Sequence, residues 1–313
     1  MKKLLISMLA VATLASCAKE ETLSFDKGEA IQFGNAFVEN STRADDPSYS
    51  GTADFTSFKV WGAVKANETA TPVAIYGGDT VTGTVGSTTV GDKTTPNVWT
   101  CNVKQYWINA ALYNFAALAN AGTVTLGADL LPKTVTYTAN QTDLVYAKSA
   151  QYTGKTSGND LVAFTFQHLL SKVNFTVVNG SQSATGYSFK VRNIKIAGAS
   201  AGTCDVTTTT WTATANEGYT IADITVDNKT ASKDCGTALL VVPGNVTVSF
   251  NVDIIVGGQV LGTKGYTSEV TTLAPAHSYN FVVTPTVGEE IKCSVANDPP
   301  WTPETGGTEV TIQ

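Results

Sequence analysis

The chain has 313 residues, 42% of them apolar and 15% charged, which supplies material for real cores and excludes wholesale disorder. At this length two domains are expected, and the low charge with abundant Thr and Gly points to an all-β surface protein. A formal net charge of −6 argues against nucleic acid as a partner.

The N-terminus reads as an address. "MKKLLISMLAVATLASC" has a basic start, an apolar run from Leu4 to Leu14 and small residues before Cys17, the pattern of a secretory signal over 1–16. It is too short and wrongly flanked for a membrane-spanning helix. Leu14-Ala15-Ser16-Cys17 resembles a bacterial lipobox, which implies acylation of Cys17 and cleavage before it; an ordinary signal whose site includes a cysteine is the other reading. Each buried methylene of such an anchor adds ~0.8 kcal/mol of membrane attachment. The next residues, Lys19, Glu20 and Glu21, resemble the surface-export signal of Bacteroidetes lipoproteins, or equally a solvated charged tether over 17–28.

Beyond the tether the dominant signal has period two, the mark of half-buried strands. "AIQFGNAFVE" sets Ile31, Phe33 and Phe37 on one face, with Asn35 an interruption. The turn-rich stretch "VENSTRADDPSYSG" comes next, holding one of the chain's two arginines, Arg43, beside Ala44. "FKVWGAV" sets Phe58, Val60 and Val64 opposite Lys59 and Trp61. A Thr/Gly-rich loop is expected over 77–95, with Gly77-Gly78 as a turn. Further strands are expected over 98–107, 113–118, 134–138, 144–147, 164–178, 187–197, 238–242, 246–256, 278–284 and 308–312, with room for a turn of helix at 167–172. Many short strands between turn signals read as β-sandwiches. The lapse of apolar periodicity at "YTGKTSGNDL" suggests a boundary after residue 160, giving domains over 29–160 and 161–313.

A search for catalytic chemistry nominates no residue, so no enzyme activity, cofactor or metal is expected. His168 and His277 stand outside any metal-ligand spacing and read as structural. "GASAG" matches nucleophile-elbow spacing but is followed by strand-like "CDVTTTTWTAT" instead of a helix, so a hairpin loop is the better reading. "GGQVLGTKG" resembles a phosphate loop only superficially, since Lys264 does not directly follow Gly262. Cys101, Cys204, Cys235 and Cys293 remain; a Cys204–Cys235 bridge and buried free thiols both stay open.

Several phrases are similar in combination to the fimbrillins, the FimA/Mfa-type pilins of Bacteroidetes: "YWINAALYNFAAL", "DLVYAKS", "FTFQHLLSKVNFTVVN", "HSYNFVVTPTV" and the ending "PPWTPETGGTEVTIQ". The resemblance implies two transthyretin-like β-sandwich domains in tandem, exported as an outer-membrane lipoprotein precursor and assembled into cell-surface fimbriae that support adhesion. It further implies an Arg-specific protease that cuts after the first strand, which Arg43-Ala44 suits, over a removable segment 29–43. The vacated groove would take the strand of another fimbrial subunit, whether a copy of the chain, a tip or an anchor protein. Here the donor candidate is 305–313, with Thr308, Val310 and Ile312 on one face; an ordinary final strand is the alternative. Asp79-Thr80-Val81 resembles the O-glycosylation sequence of the same phylum, with Thr80 as acceptor; a plain loop threonine is the other reading. The competing class is a surface-anchored adhesin or glycan-binding lipoprotein that never polymerises, with host or bacterial surface ligands as partners.

Overall fold

The computed structural model describes residues 28–38, 56–90, 93–181, 186–227, 232–298 and 308–312, and every regular element among them is a β-strand. The protein is all-β. Among the described residues the apolar side chains collect into three cores, two within the halves of the chain and one between them.

In the first half the pairing closes on itself. Ser57–Lys65 pairs with Val73–Val90, which pairs with Lys93–Cys101, which meets the leading strand Phe33–Val38. The leading strand runs parallel to Val162–His168. From there Val145–Lys148 and Leu112–Ala119 lead back to Ser57–Lys65. A ring of this kind leaves no interior edge unpaired. Its inside is aromatic, with Phe33, Phe58, Tyr76, Trp99, Tyr113, Phe115, Phe164 and Phe166 all buried.

The second half is a sandwich of two sheets. Ser171–Val178, Ser278–Thr284 and Lys292–Asp298 form one layer, with Thr308–Ile312 at its edge. Tyr187–Ala197, Gly244–Val256 and Gln259–Thr267 form the other. Alternate side chains such as Val173, Phe175 and Phe281 meet Phe189, Val191, Val248 and Phe250 between the layers, as period two dictates.

A four-stranded sheet joins the halves. It is built from Val124–Leu126 and Pro132–Thr138 of the first and Ala201–Asp205 and Thr210–Ala215 of the second. The third core lies under it and draws Trp61, Leu118, Leu131 and Leu144 together with Leu170, Cys204, Leu240 and Val242. Polar staples cross the same seam: the Gln141 side chain exchanges two hydrogen bonds with the Leu240 backbone (2.8 and 3.1 Å).

Several expectations need correction. Residues Val162–His168, placed in the second domain, pair within the first ring, and the change of core comes at Leu169–Leu170. The polar stretch 152–160 lies inside the first half, so its lapse of periodicity marks no boundary. Residues 167–172 hold no helix; the chain passes from one strand to the next. The Thr/Gly-rich stretch is mostly strand, Val73–Val90 and Lys93–Cys101, and Gly77-Gly78 lies at a register shift within it, not at a turn. Trp61 is buried, because the face of its strand opposite the ring's interior is covered by the third core.

The shared core sets a stability test. Leu144→Ala removes a fully buried side chain from the seam and is expected to cost about 2–5 kcal/mol. Hydrogen exchange should then quicken in strands of both halves, since neither keeps its cover alone.

Candidate functional site

The candidate site is the leading strand and the slot it fills. Phe33–Val38 is extended because Ile31 and Phe33 can both reach the aromatic interior; they are 6% and 4% exposed. The Phe33 ring stacks on Phe164 at 6.2 Å and meets Tyr76, Phe115 and Phe58 edge-on at 5.6, 6.3 and 6.4 Å. Burial of two such side chains contributes roughly 1.5–3 kcal/mol each. The interruption at Asn35 is a bulge: Gly34 pairs with Ala163 and Ala36 with Phe164, which leaves Asn35 as the extra residue. At Gly34 a Cβ would stand 2.6 Å from the tip of the exposed Leu161 side chain, which would have to shift to admit it. Phe37 belongs to the strand, but its side chain lies outside the described residues.

Neighbouring backbone holds the approach to this strand. The Ile31 amide donates to Gln105 O (2.8 Å), the Trp107 amide to Glu29 O (3.0 Å) and the Val162 amide to Gln32 O (2.9 Å). Gly28 passes so close to Trp107 O that a Cβ would sit 2.1 Å from it. The slot is therefore lined on one side by Val162–His168 and on the other by Trp99 and its strand.

The remaining expected sites are scattered. Cys17, Lys19, Glu20, Glu21, Arg43 and Ala44 lie outside the described residues. Thr308–Ile312 pairs antiparallel with Lys292–Asp298, Val310 opposite Val295 and Ile312 opposite Cys293, far from the leading strand in pairing order. Thr80 is exposed on its strand, where its amide donates to Asn102 Oδ1 (3.1 Å). The other arginine, Arg192, sits in the middle of Tyr187–Ala197, where Nε donates to Asp253 Oδ2 at 2.7 Å. Asp253 also accepts from Thr263 Oγ1 (2.6 Å) and is 6% exposed.

The motifs that mimic chemistry resolve into structure. "GASAG" is the link from Tyr187–Ala197 into Ala201–Asp205, and "GGQVLGTKG" is a hairpin turn with the strand after it. His168 Nδ1 pairs with Asp143 Oδ2 at 2.5 Å deep in the seam, both nearly sealed from solvent, and His277 Nδ1 bonds Pro275 O (2.7 Å). Among the described residues no three metal-ligating side chains converge. Cys101, Cys204, Cys235 and Cys293 are all free, which decides between bridge and thiols; burial pushes the Cys204 thiol up to about 12 and Cys293 to about 11. What sequence reasoning missed is Glu29, whose carboxylate is bound by the 155–159 loop; an exposed acid in a charged lead carries no signal of this.

The leading strand thus completes the aromatic core of the first ring. The fimbrillin-like family model matches residues 42–297, and the chain belongs to that family. The fold is similar to that of a fimbrial protein from Bacteroides vulgatus, at 15% identity and TM-score 0.58, covering 87% of this chain and 99% of that one. Two candidate cell adhesion proteins share it: one from Bacteroides ovatus, at 17% identity and TM-score 0.52 over 89% and 99% of the chains. The other is from Bacteroides uniformis, at 18% identity and TM-score 0.50 over 87% and 99%. No curated protein is significantly similar in sequence.

This geometry can be probed by mutation and by pH. Phe33→Ala is expected to destabilise the protein by about 3–5 kcal/mol in urea titration, because four aromatic neighbours lose their partner. Asp253 gives a pH dependence: its bonds to Arg192 and Thr263 hold its carboxyl below the ordinary 3.8. The folded state thus binds the proton more weakly than the unfolded one, so this stabilisation is complete above about pH 3.8 and is lost as pH falls through the lowered value. Asp253→Asn should lower stability at pH 7 and flatten its decline below pH 4.

Proposed function

We propose that the protein is a structural subunit of cell-surface fimbriae that supports adhesion, exported as a lipoprotein precursor and activated by proteolysis after Arg43. Membership of the fimbrillin-like family supports the fimbrial role and a cell-surface location, and that family is structural, not enzymatic. The observation that carries the activation reading is the leading strand itself. It joins the ring through Val162–Phe166 and Trp99, and it lies upstream of Arg43.

Cys17 carries the lipid that holds the precursor on the outer membrane, and Lys19, Glu20 and Glu21 direct it outward. An Arg-specific protease then cuts Arg43-Ala44. Arg192 escapes, being fixed mid-strand against Asp253. Loss of the segment through Arg43 removes Ile31, Phe33 and Phe37 and opens backbone groups that each contribute about 1 kcal/mol when paired. A strand from another subunit replaces it, and 305–313 of a neighbouring copy, through Thr308, Val310 and Ile312, is the proposed donor. Head-to-tail donation does not close on itself, so the product is a filament. Thr80 is exposed and suited to carry a glycan.

One observation favours a second reading. Thr308–Ile312 is paired within its own sheet, as an ordinary final strand would be. A chain that keeps it there accepts a strand without donating one, as a terminal, anchor or non-polymerising adhesive component would. Digestion with an Arg-specific protease separates the readings. The fimbrial subunit gives a stable product starting at Ala44 that forms filaments in electron micrographs, and Arg43→Ala abolishes both. A trimmed product that stays monomeric supports the terminal role, and a product cut at Arg192 removes the activation scheme.

A further inference from the structure

The lead into the first strand is fastened by a bound carboxylate. Glu29 Oε2 accepts from the Asn159 amide at 2.9 Å and from Asn159 Nδ2 at 3.1 Å. The Gly158 amide also points at this carboxyl, and the three donors together hold its pKa below the ordinary 4.5. Gly158 has φ +68°, the left-handed turn that aims successive amides at one point and forms an anion-binding nest.

The loop that presents these donors supports itself. Asn159 Oδ1 accepts from the Lys155 amide (2.7 Å) and Asn159 Nδ2 donates to Lys155 O (2.9 Å). The Lys155 ammonium is 3.7 Å from Asp160, so the nearby cation is engaged on its own loop. None of these internal bonds involves Glu29. The nest therefore keeps its shape when Glu29 departs.

We propose that the 155–159 loop is a carboxylate receptor, filled by Glu29 in the intact chain and refilled by Glu304 of the strand that replaces the leading segment. The second half of this inference rests on the donor-strand reading; the first half does not. Spacing nominates Glu304. It precedes Thr308 by four residues, as Glu29 precedes Phe33, so a donor seated in extended form would carry acid and slot-facing residue on the same side and Glu309 on the other.

Two arms of one experiment test it. In the uncut chain, Glu29→Gln keeps the shape but removes the charge, and hydrogen exchange at the Gly158 and Asn159 amides should quicken about three- to tenfold. Unchanged exchange there overturns the receptor. In the second arm the chain is cut after Arg43 and titrated with a peptide of residues 304–313. The Glu304→Gln peptide should bind about three- to tenfold more weakly and Glu309→Gln equally to the parent. Equal binding of all three overturns the Glu304 assignment. Failure of every peptide to bind overturns it together with the donor-strand reading, and the exchange arm still decides the receptor.

Discussion

The architecture of the first half depends on one parallel pairing, Phe33–Val38 against Val162–Phe166. Without it the hydrogen-bonded circuit is broken between Lys93–Cys101 and Val162–His168, and the aromatic interior loses the ring that four others touch. Parallel strands need a long connection, and here that connection is nearly the whole of the half-chain. The strand is therefore the first part of the ring in sequence, tethered to its partners by a single covalent link at its C-terminal end and seated by packing and ladder bonds. Such an element is separable in a way that no later strand of the ring is.

Separability has to be reconciled with stability. Burial of Ile31 and Phe33, the glycines at 28 and 34 that permit close approach, and the carboxylate of Glu29 all act on the same short segment. Each contribution is confined to residues upstream of Arg43. A single cut there leaves all of them on one fragment.

Much of the fold was legible in the sequence, and the reasons for the gaps are physical. Alternation exposed Ser171–Val178 and Ser278–Thr284, and, despite a bulge in one and a break in the other, Tyr187–Ala197 and Gly244–Val256, because each has one face in a core and one in solvent or partly so. Alternation fails where both faces are covered, as in Leu112–Ala119 and around Trp61, and such strands give no clue to which side is which. Val73–Val90 was hidden for the opposite reason: its Thr and Gly residues carry little apolar signal, and backbone pairing to strands on both sides holds it. The seam between the halves could not be read at all, since Pro132–Thr138 and Ala201–Asp205 are far apart in sequence. Within the candidate site, Ile31 and Phe33 announced themselves by pattern, whereas Glu29 depends on a loop more than a hundred residues away.

The seam also has a mechanical meaning. The two halves are not beads on a string, because Pro132–Thr138 and Ala201–Asp205 hydrogen-bond side by side over a common apolar floor. Tension applied between the halves must shear that ladder and tear open the floor together before either half can swing. Under load the two halves are thus coupled, because ladder and floor have to yield together.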